Sequence, residues 1–323
     1  MIPRRKQQED MDIATGYGVN PSWTGGRFLH KSGRPNIERR GLTWIERHSW
    51  YHTFLQLSRW KFFGVLLLIY VSINLVFATL YFFIGTEHLM GILGESTWER
   101  YLECFFFSTQ TFTTLGYGRI SPVGLVTSSL ATFEAFLGLL NFAIATGLFY
   151  GRFSRPQAFI QFSHNALIAP YRDGIAFMFR LAPYKNNYLS NAHVKLTLAR
   201  TEEEAGKPVN RFYSLPLEID KVNTLNLSWT VVHPINEQSP FYGTTLDDWN
   251  RSQSEIMVFL EAFDDTFSNT VITRSSYIGN ELVVGAKFAP MYHKSTDGRV
   301  TVMELDKLNQ YSQADIGNAF PLI

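Results

Sequence analysis

The sequence has very little sulfur and no strong excess of either charge. Cys104 is the single cysteine among 323 residues, so an intrachain disulfide framework and a zinc ribbon, which both need several sulfur atoms, are excluded. Basic residues number 29 and acidic residues 28, a balance that excludes a protein that binds nucleic acid with its whole surface. Only 18% of the residues are charged and 46% are hydrophobic, so the chain is neither disordered nor fibrous. Its length suggests about two domains.

Motifs for catalysis, nucleotide binding and voltage sensing are also missing. Four histidines of the C-terminal half have neither the H-x-x-x-H nor the H-E-x-x-H spacing of a metal site: His164, His193, His233 and His293. No G-x-G-x-x-G motif follows a predicted strand, which argues against a nucleotide-binding regulatory domain. No helix carries a repeat of arginines, so a voltage sensor of the usual kind is absent. The sequence therefore predicts a protein that is not an enzyme and needs no resident cofactor.

Two long apolar runs interrupt an otherwise polar chain. Phe62–Ile84 holds no charged residue over 23 positions, and about 20 apolar residues suffice to span a bilayer. Leu125–Tyr150 is a run of 26 residues with one charge, Glu134, and several small residues that let membrane helices pack closely. We predict that both are transmembrane helices. The alternative is that either run is the buried core helix of a soluble domain.

Lysine and arginine are distributed unevenly around these runs. Eleven lie in residues 1–61, whereas residues 85–124 hold only Arg100 and Arg119. Positive residues accumulate on the cytoplasmic side of membrane proteins. We expect no cleavable signal segment within residues 1–41, which are polar. These features predict that both termini are cytoplasmic and that the loop between the spans faces outward.

The loop between the spans contains its own helix. Ser96 and Glu99 have the S-x-x-E spacing of a capping box, which satisfies free backbone amides at the start of a helix. The segment Trp98–Phe112 that follows is apolar and aromatic but too short to cross a bilayer, so we predict a re-entrant or buried helix. Non-helical backbone at membrane depth is tolerated only where it is buried in protein or lines a watery cavity. The sequence therefore predicts a pore.

The segment directly after this helix is a selectivity-filter motif. Thr114–Gly118 reads T-L-G-Y-G, which is the potassium-channel pattern T-V-G-Y-G with leucine in place of valine. Gly116 and Gly118 can adopt backbone angles that other residues avoid, so successive carbonyl groups can point at one axis. We predict that K⁺ is bound by the Thr114 hydroxyl and by four backbone carbonyls, those of Thr114, Leu115, Gly116 and Tyr117. One chain supplies one filter strand, so a homotetramer is implied.

Beyond Pro156 the sequence alternates between apolar and polar residues, as in half-buried strands. We predict strands over seven segments: Ile175–Leu181, Val194–Leu198, Leu225–Val231, Glu255–Phe263, Asn269–Ile278, Glu281–Phe288 and Arg299–Met303. Many short strands without an intervening helical pattern are typical of a β-sandwich. The acidic run Glu202–Glu204 is interpreted as part of a hairpin loop beside Gly206 and Pro208.

The chain resembles the inward-rectifier potassium channels, most closely their prokaryotic KirBac-type members. The resemblance covers about residues 36–310. Besides the filter it rests on six stretches: Gly151–Pro156, Phe162–Ile168, Asp173–Gly174, His233–Ile235, Ser239–Pro240 and Arg274–Tyr277. It implies an immunoglobulin-like cytoplasmic β-sandwich and an amphipathic slide helix at about Ile45–Leu57. The implied division is a cytoplasmic segment over 1–41, the slide helix within 42–59, the pore domain over 60–152 and the cytoplasmic domain over 153–323.

The resemblance also implies roles for the inner end of the pore. Tyr150 matches the bulky residue that closes the bundle crossing, although an interfacial, lipid-facing tyrosine is the alternative. Gly138 and Gly147 are candidate hinges, with close helix packing as an equal alternative. Basic residues at the inner leaflet are candidates for binding anionic lipids, or for setting topology alone. These residues are Arg47, Arg59, Lys61, Arg152 and Arg155.

Three departures from the family pattern bear on rectification and on the filter. Gln110 stands where many eukaryotic members have a glutamate, and Cys104 alone cannot form their extracellular disulfide. The cavity position that is acidic in strong rectifiers is Phe142, beside the uncharged Asn141. Candidate acids of the cytoplasmic path are Asp265, Glu202, Glu203 and Glu204. We therefore expect weak block by Mg²⁺ or polyamines, and we interpret Glu134 as a brace behind the filter.

Together these features predict a potassium-selective, tetrameric channel of a bacterial inner membrane. Its expected partners are copies of itself and anionic lipids, and it is gated through the cytoplasmic domain and lipid signals. The alternative hypothesis is a non-catalytic sensor whose β-domain acts while the pore conducts little or without selectivity.

Overall fold

The chain has a helical part and a part made mainly of β-strands. The computed structural model describes residues 27–38, 40, 41, 43 and 49–316. These residues fall into two units, one within 39–155 and the other within 1–38 and 156–323. The described residues of the first unit form four α-helices: α1 (Trp50–Gln56), α2 (Arg59–Ile84), α3 (Thr97–Phe112) and α4 (Leu125–Phe153).

Two of these helices are long and apolar enough to cross a membrane. Helix α2 has 26 residues and α4 has 29, and the mean hydropathy of an 18-residue stretch within each is 2.3 and 1.5. At 1.5 Å per residue each helix is about 40 Å long, which exceeds the hydrocarbon core of about 30 Å. Both helices extend beyond the apolar runs, α2 by starting at Arg59 and α4 by ending at Phe153, because their polar ends continue the backbone hydrogen-bond ladder.

The segment before α2 is only partly described. The predicted slide helix at about Ile45–Leu57 corresponds to α1, which runs over Trp50–Gln56. Residues 44–48 lie outside the described residues, and so does Arg47. The backbone turns extended at Leu57 and Ser58, which separates α1 from α2.

The short helix α3 packs between the two long ones. Phe77 and Tyr81 of α2, Cys104 and Phe107 of α3, and Ala131 of α4 belong to one buried apolar cluster. The rings of Tyr81 and Phe107 meet edge to face with centroids 5.0 Å apart. In the connections around α3, β1 (Leu89–Met90) pairs with β2 (Ser121–Pro122) in an antiparallel ladder.

The second unit contains two five-stranded sheets that enclose one core. The remaining strands are β3 (Ile160–Phe162), β4 (Ala166–Tyr171), β5 (Gly174–Pro183), β6 (Leu189–Glu204), β7 (Lys207–Leu215), β8 (Lys221–Thr224), β9 (Trp229–Ile235), β10 (Glu255–Asp264), β11 (Asn269–Ile278), β12 (Leu282–Val284), β13 (Ala286–Phe288), β14 (Tyr292–Lys294), β15 (Thr301–Met303) and β16 (Tyr311–Gln313). One sheet has the order β11-β10-β6-β7, with β8 also on β6, and the other has β12-β4-β5-β3, with β9 also on β5. Phe177 of one sheet meets Tyr277 of the other, so the two inner faces share their apolar side chains.

Four local predictions for this unit were wrong. The strand predicted over Leu225–Val231 begins at Trp229, where the alternation of buried and half-buried residues starts. The strand predicted over Glu281–Phe288 is two strands, because Gly285 has a φ of 68°. Glu202–Glu204 lies in β6, paired with β7, and the hairpin turn is Ala205–Gly206, both with positive φ as in a type I′ turn. A short helix, α5 (Leu246–Arg251), interrupts the strands.

Residues 27–36 form a hairpin that lies on this β-rich unit. Leu29 and Pro35 form an antiparallel bridge. The buried Glu255 carboxylate of β10 accepts the backbone N–H groups of Phe28 and Leu29. Lys31 donates to the His164 carbonyl at 2.7 Å and lies over the ring of Tyr277. These contacts tie the chain before the first long helix to the strand core.

Candidate functional site

Helix α3 positions the filter motif because local contacts define both of its ends. Its start is the predicted capping box, in which Glu99 N–H donates to Ser96 Oγ at 3.2 Å and Ser96 N–H donates to the Glu99 carboxylate at 3.0 Å. The helix ends at Phe112, and Thr113 is its C-cap. The negative end of the helix dipole therefore lies directly before the filter segment, where it favours a cation.

The filter backbone alternates in handedness from residue to residue. Thr114, Gly116 and Gly118 have φ values of 57°, 56° and 83°, whereas Leu115 and Tyr117 between them are not in this region. A left-handed conformation at a β-branched residue such as Thr114 costs about 1–2 kcal/mol, so it persists only where neighbouring groups impose it. The N–H groups of Leu115 and Gly116 donate to the Gln110 carbonyl at 2.8 Å and 3.3 Å, which anchors the filter to the end of α3.

An ion pair ties the segment after the Thr114–Gly118 motif to the middle of α3. Both terminal nitrogens of Arg119 donate to Glu103 at 3.0 Å, and Arg119 also donates to the Gly91 carbonyl. Glu103 accepts the Leu93 N–H at 2.7 Å as well. Sequence reasoning missed this pair, because Arg119 was considered only for topology.

Behind α3, Glu134 of α4 contacts two hydroxyl groups. Its carboxyl group lies within hydrogen-bond distance of the Ser108 hydroxyl on α3 and accepts from the Tyr81 hydroxyl on α2 at 2.6 Å. All three side chains are buried. These contacts lie where Glu134 was interpreted as a brace, although Ser108 and Tyr81 were not identified from the sequence.

The two candidate hinge glycines of α4, Gly138 and Gly147, have different surroundings. A Cβ at Gly138 would lie 2.0 Å from the carbonyl oxygen of Phe112, whereas a Cβ at Gly147 would meet no atom within 4 Å. Helix α4 is continuous from Leu125 to Phe153 through both positions. Gly138 therefore allows α4 to approach the end of α3 closely.

An exposed stripe of side chains follows the inner half of α4. Phe142 and Tyr150 are 73% and 74% exposed, and their spacing of eight residues, with Thr146 between them, places them along one line of the helix. Asn141 lies off this line and lines a groove beside Ile73 of α2. Phe142 and Tyr150 are thus both exposed on α4, whereas Asn141 is half-buried in the groove.

Four of the candidate lipid-binding residues gather at one end of the long helices. The Phe62 ring of α2 contacts the Phe149 ring of α4, with centroids 5.3 Å apart, so Arg59 and Lys61 lie beside the end of α4 that carries Arg152. Arg155 follows two residues after that helix and is exposed. The Arg152 guanidinium lies 4.8 Å from the centre of the Phe62 ring and donates to the Leu55 carbonyl of α1.

The candidate cytoplasmic acids are not equally available to a cation. Glu202 pairs with Arg200 at 2.5 Å and accepts from the Tyr213 hydroxyl, and Glu204 pairs with Arg211. Glu203 is exposed opposite Pro208. Asp265 is exposed and accepts from the Ser190 hydroxyl at 2.8 Å.

Comparison with known proteins gives matches along nearly the whole chain. The family model "Inward rectifier potassium channel C-terminal domain" matches residues 160–319, and the model "Ion channel" matches residues 59–155. The inward rectifier potassium channel Kirbac3.1 of Paramagnetospirillum magnetotacticum is 33% identical over 300 residues, 92% of this chain and 99% of that protein. Human inward rectifier potassium channel 18 is 26% identical over 87% of this chain and 71% of its own length. The ATP-sensitive inward rectifier potassium channel 12 of Gallus gallus is 24% identical over 88% of this chain and 74% of its own length.

Proposed function

Because the chain belongs to the inward rectifier potassium channel family, we propose that Thr114–Gly118 is its K⁺-selective filter and α3 its pore helix. Family membership confirms the resemblance drawn from the sequence, and it confirms that the protein is a transmembrane ion channel and not an enzyme. The observation that carries the proposal is the alternation of left-handed φ at Thr114, Gly116 and Gly118 directly behind α3. Such an alternation turns successive carbonyl groups toward one side, as a dehydrated K⁺ ion requires.

The working channel in this proposal is a homotetramer. One chain contributes one strand of carbonyl oxygens, and a potassium filter is built from four. All residues from Thr113 to Arg119 are exposed in the single chain, including Tyr117 at 76%. A fourfold arrangement gives these side chains neighbours on which to pack.

The proposed gate is the Phe142–Tyr150 stripe at the inner end of α4. Four Tyr150 rings that converge on the axis exclude water and thereby stop ion flow. The two-sheet unit fits the immunoglobulin-like cytoplasmic domain of this proposal, which passes its conformational signals to the gate.

Anionic lipids are the second proposed gating signal. Support comes from the position of Arg59, Lys61, Arg152 and Arg155 at one end of the long helices, where each basic residue contributes about 1 kcal/mol of attraction to anionic headgroups. Flux in liposomes of graded anionic-lipid content tests this signal, and flux that is indifferent to the lipid contradicts it.

The proposed location is a bacterial inner membrane with both termini in the cytoplasm. It rests on the excess of lysine and arginine in residues 1–61 and on Arg152 and Arg155 at the end of α4, compared with the two arginines between the spans. The cytoplasmic path then contains Asp265 and Glu203, and weak block by Mg²⁺ or polyamines follows from the lack of an acid at Phe142.

Rubidium uptake into liposomes tests the filter directly. We expect uptake that barium blocks and that sodium does not support. Gly116→Ala should abolish it, because the left-handed angle costs about 1–2 kcal/mol in each of four subunits. Gly64→Ala is the matched control, since Gly64 lies in α2 with open space around it and an ordinary backbone angle. Uptake by the Gly116 variant equal to wild type refutes the assignment, and equal transport of sodium favours the sensor hypothesis.

A further inference from the structure

Four polar side chains are completely buried where the three membrane helices meet. Asn74 and Tyr81 belong to α2, Ser108 to α3 and Glu134 to α4, and each has a relative exposure of 0%. A buried polar group without a hydrogen bond costs several kcal/mol in an apolar medium. The number of hydrogen-bond donors in this cluster therefore determines whether the Glu134 carboxyl group can be ionised or must be neutral.

The contacts form a single row. Tyr81 Oη is 2.6 Å from Glu134 Oε2, and Glu134 Oε1 is in contact with Ser108 Oγ. Ser108 Oγ is 3.0 Å from Asn74 Oδ1, and Asn74 Nδ2 is 2.8 Å from the Tyr70 carbonyl oxygen. Ser108 thus has an oxygen on each side, but a serine hydroxyl has only one hydrogen to donate.

The amide of Asn74 cannot supply the missing hydrogen by turning over. The amide nitrogen and oxygen of asparagine are interchangeable in shape, so the orientation is decided by the partners. A flipped amide would donate to Ser108, but it would place Oδ1 2.8 Å from the Tyr70 carbonyl, oxygen against oxygen. The orientation with Nδ2 on Tyr70 leaves Oδ1 as an acceptor for Ser108.

Among the described residues, no positive charge stands beside Glu134 to compensate for an ionised carboxylate. Within the part of the chain that the structure describes, its hydrogen-bond partners are two hydroxyl groups, and it takes part in no ion pair. An ionised carboxylate would leave two acceptors competing for the single Ser108 hydrogen.

We propose that Glu134 is a neutral carboxylic acid that donates its hydrogen to Ser108. All the hydrogen bonds then run in one direction: Tyr81 to Glu134, Glu134 to Ser108, Ser108 to Asn74, and Asn74 to the Tyr70 carbonyl. Each hydroxyl group then donates one hydrogen bond, and one hydrogen lies between the two oxygens of every close pair. The only hydrogen added to reach this arrangement is the one on the Glu134 carboxyl group, and no counter-ion is needed.

In this role Glu134 is a positioning residue for the filter, an inference that rests on the proposed function. Ser108 lies two residues before Gln110, whose carbonyl accepts the N–H groups of Leu115 and Gly116. The neutral row fixes Ser108 between α2 and α4, and thereby fixes the end of α3 from which the filter leaves. A hydrogen bond to an uncharged acid does this without a fixed charge close to the conducted K⁺.

Infrared spectroscopy of the full-length protein in liposomes at neutral pH tests the protonation. A carboxylic acid has a C=O band well above those of carboxylates and backbone amides. We expect Glu134→Gln to remove such a band, and Tyr81→Phe to shift the same band to higher frequency because the C=O group loses its donor. Glu95→Gln is the control, since Glu95 is exposed and should leave this region unchanged. Spectra in which neither variant changes this region overturn the proposal.

Ion flux tests the positioning role separately. Glutamine can both donate to Ser108 and accept from Tyr81, so Glu134→Gln should keep the preference for rubidium over sodium. Glu134→Leu can do neither and should lower that preference at least severalfold among assembled channels. Equal selectivity in the two variants contradicts the role. A wild-type protein that does not select rubidium over sodium contradicts the proposed function instead, and the infrared result is independent of that outcome.

Discussion

Gly138 of α4 packs directly against the carbonyl of Phe112, the last residue of α3. A Cβ at Gly138 would lie 2.0 Å from that carbonyl oxygen, far inside van der Waals contact. The obstacle is backbone at the end of α3, so it cannot rotate away as a side chain could. This contact makes the spacing between α4 and α3 depend on the absence of a side chain at Gly138.

We therefore predict that Gly138→Ala disturbs conduction whereas Gly147→Ala does not. The Gly138 variant must push α3 outward, and loss of most rubidium flux or of selectivity should follow. Gly147 has nothing within 4 Å, and alanine is favoured over glycine in a helix by about 1 kcal/mol. Unchanged flux in Gly138→Ala contradicts the packing role, and a lower open probability in Gly147→Ala identifies Gly147 as a hinge.

If Tyr150 forms the proposed gate, Tyr150→Ala should raise the open probability severalfold, because the constriction loses four tyrosine rings. Single-channel recording measures this directly. Phe133→Ala is the control, since Phe133 is an exposed aromatic residue of the same helix on the side opposite Phe142. Equal effects of the two substitutions, or no effect of either, count against Tyr150 as the gate and favour a lipid-facing tyrosine.

The docked hairpin of residues 27–36 should become more stable as the pH rises above 8. Burial lowers the pKa of Lys31 from 10.5 to about 8, although the neighbouring Glu281 carboxylate opposes this shift. Between these two values the unfolded chain binds a proton that the docked Lys31 does not. Stability therefore rises with pH in this window, by up to about 1.4 kcal/mol per pH unit.

Hydrogen exchange of the Phe28 and Leu29 amides measures this effect, after correction for the intrinsic exchange rate. Lys31→Met should remove the increase in protection between pH 8 and 10, and Lys287→Met, at an exposed lysine of β13, should not. Protection that falls with rising pH in the wild type would contradict the account.

Block by spermine from the cytoplasmic side should be weak and should become stronger with an acid on the exposed stripe of α4. We expect Phe142→Asp to lower the blocking concentration by about tenfold or more, since four carboxylates then face one multivalent cation. Asn141→Asp should have a smaller effect, because Asn141 lies in the groove beside α2. Strong block of the unmodified channel by micromolar spermine would contradict this prediction. It would place the blocking site at Asp265 and Glu203, since Glu202 and Glu204 are already paired with arginines.

The membrane-embedded part was predictable because its signals are local. The capping box joins residues three positions apart, and the filter motif and the apolar runs are each continuous in the sequence. The contacts that hold these elements together are not local. Arg119 and Glu103 are 16 residues apart, and Glu134 is 53 residues from Tyr81, so no short pattern reveals either pair.

The sequence predicted that the second unit consists mainly of β-strands, but it predicted the ends of these strands less accurately. Alternation identified β5, β10 and β11 nearly to the residue. It failed at Glu202–Glu204, where three equal charges hide the period of the strand, and at Gly285, where one left-handed residue splits an apolar run. No sequence pattern predicted the hairpin of residues 27–36, because the contact that holds it is long-range. Phe28 and its acceptor Glu255 are 227 positions apart.

The reversal potential of the reconstituted channel, with K⁺ on one side of a planar bilayer and Na⁺ on the other, measures the ion selectivity of Thr114–Gly118 directly. We expect a reversal potential displaced far from zero toward the value for K⁺, and no measurable current in Gly116→Ala under the same conditions. A reversal potential near zero, with current carried equally by Na⁺, would contradict a K⁺-selective filter at Thr114–Gly118.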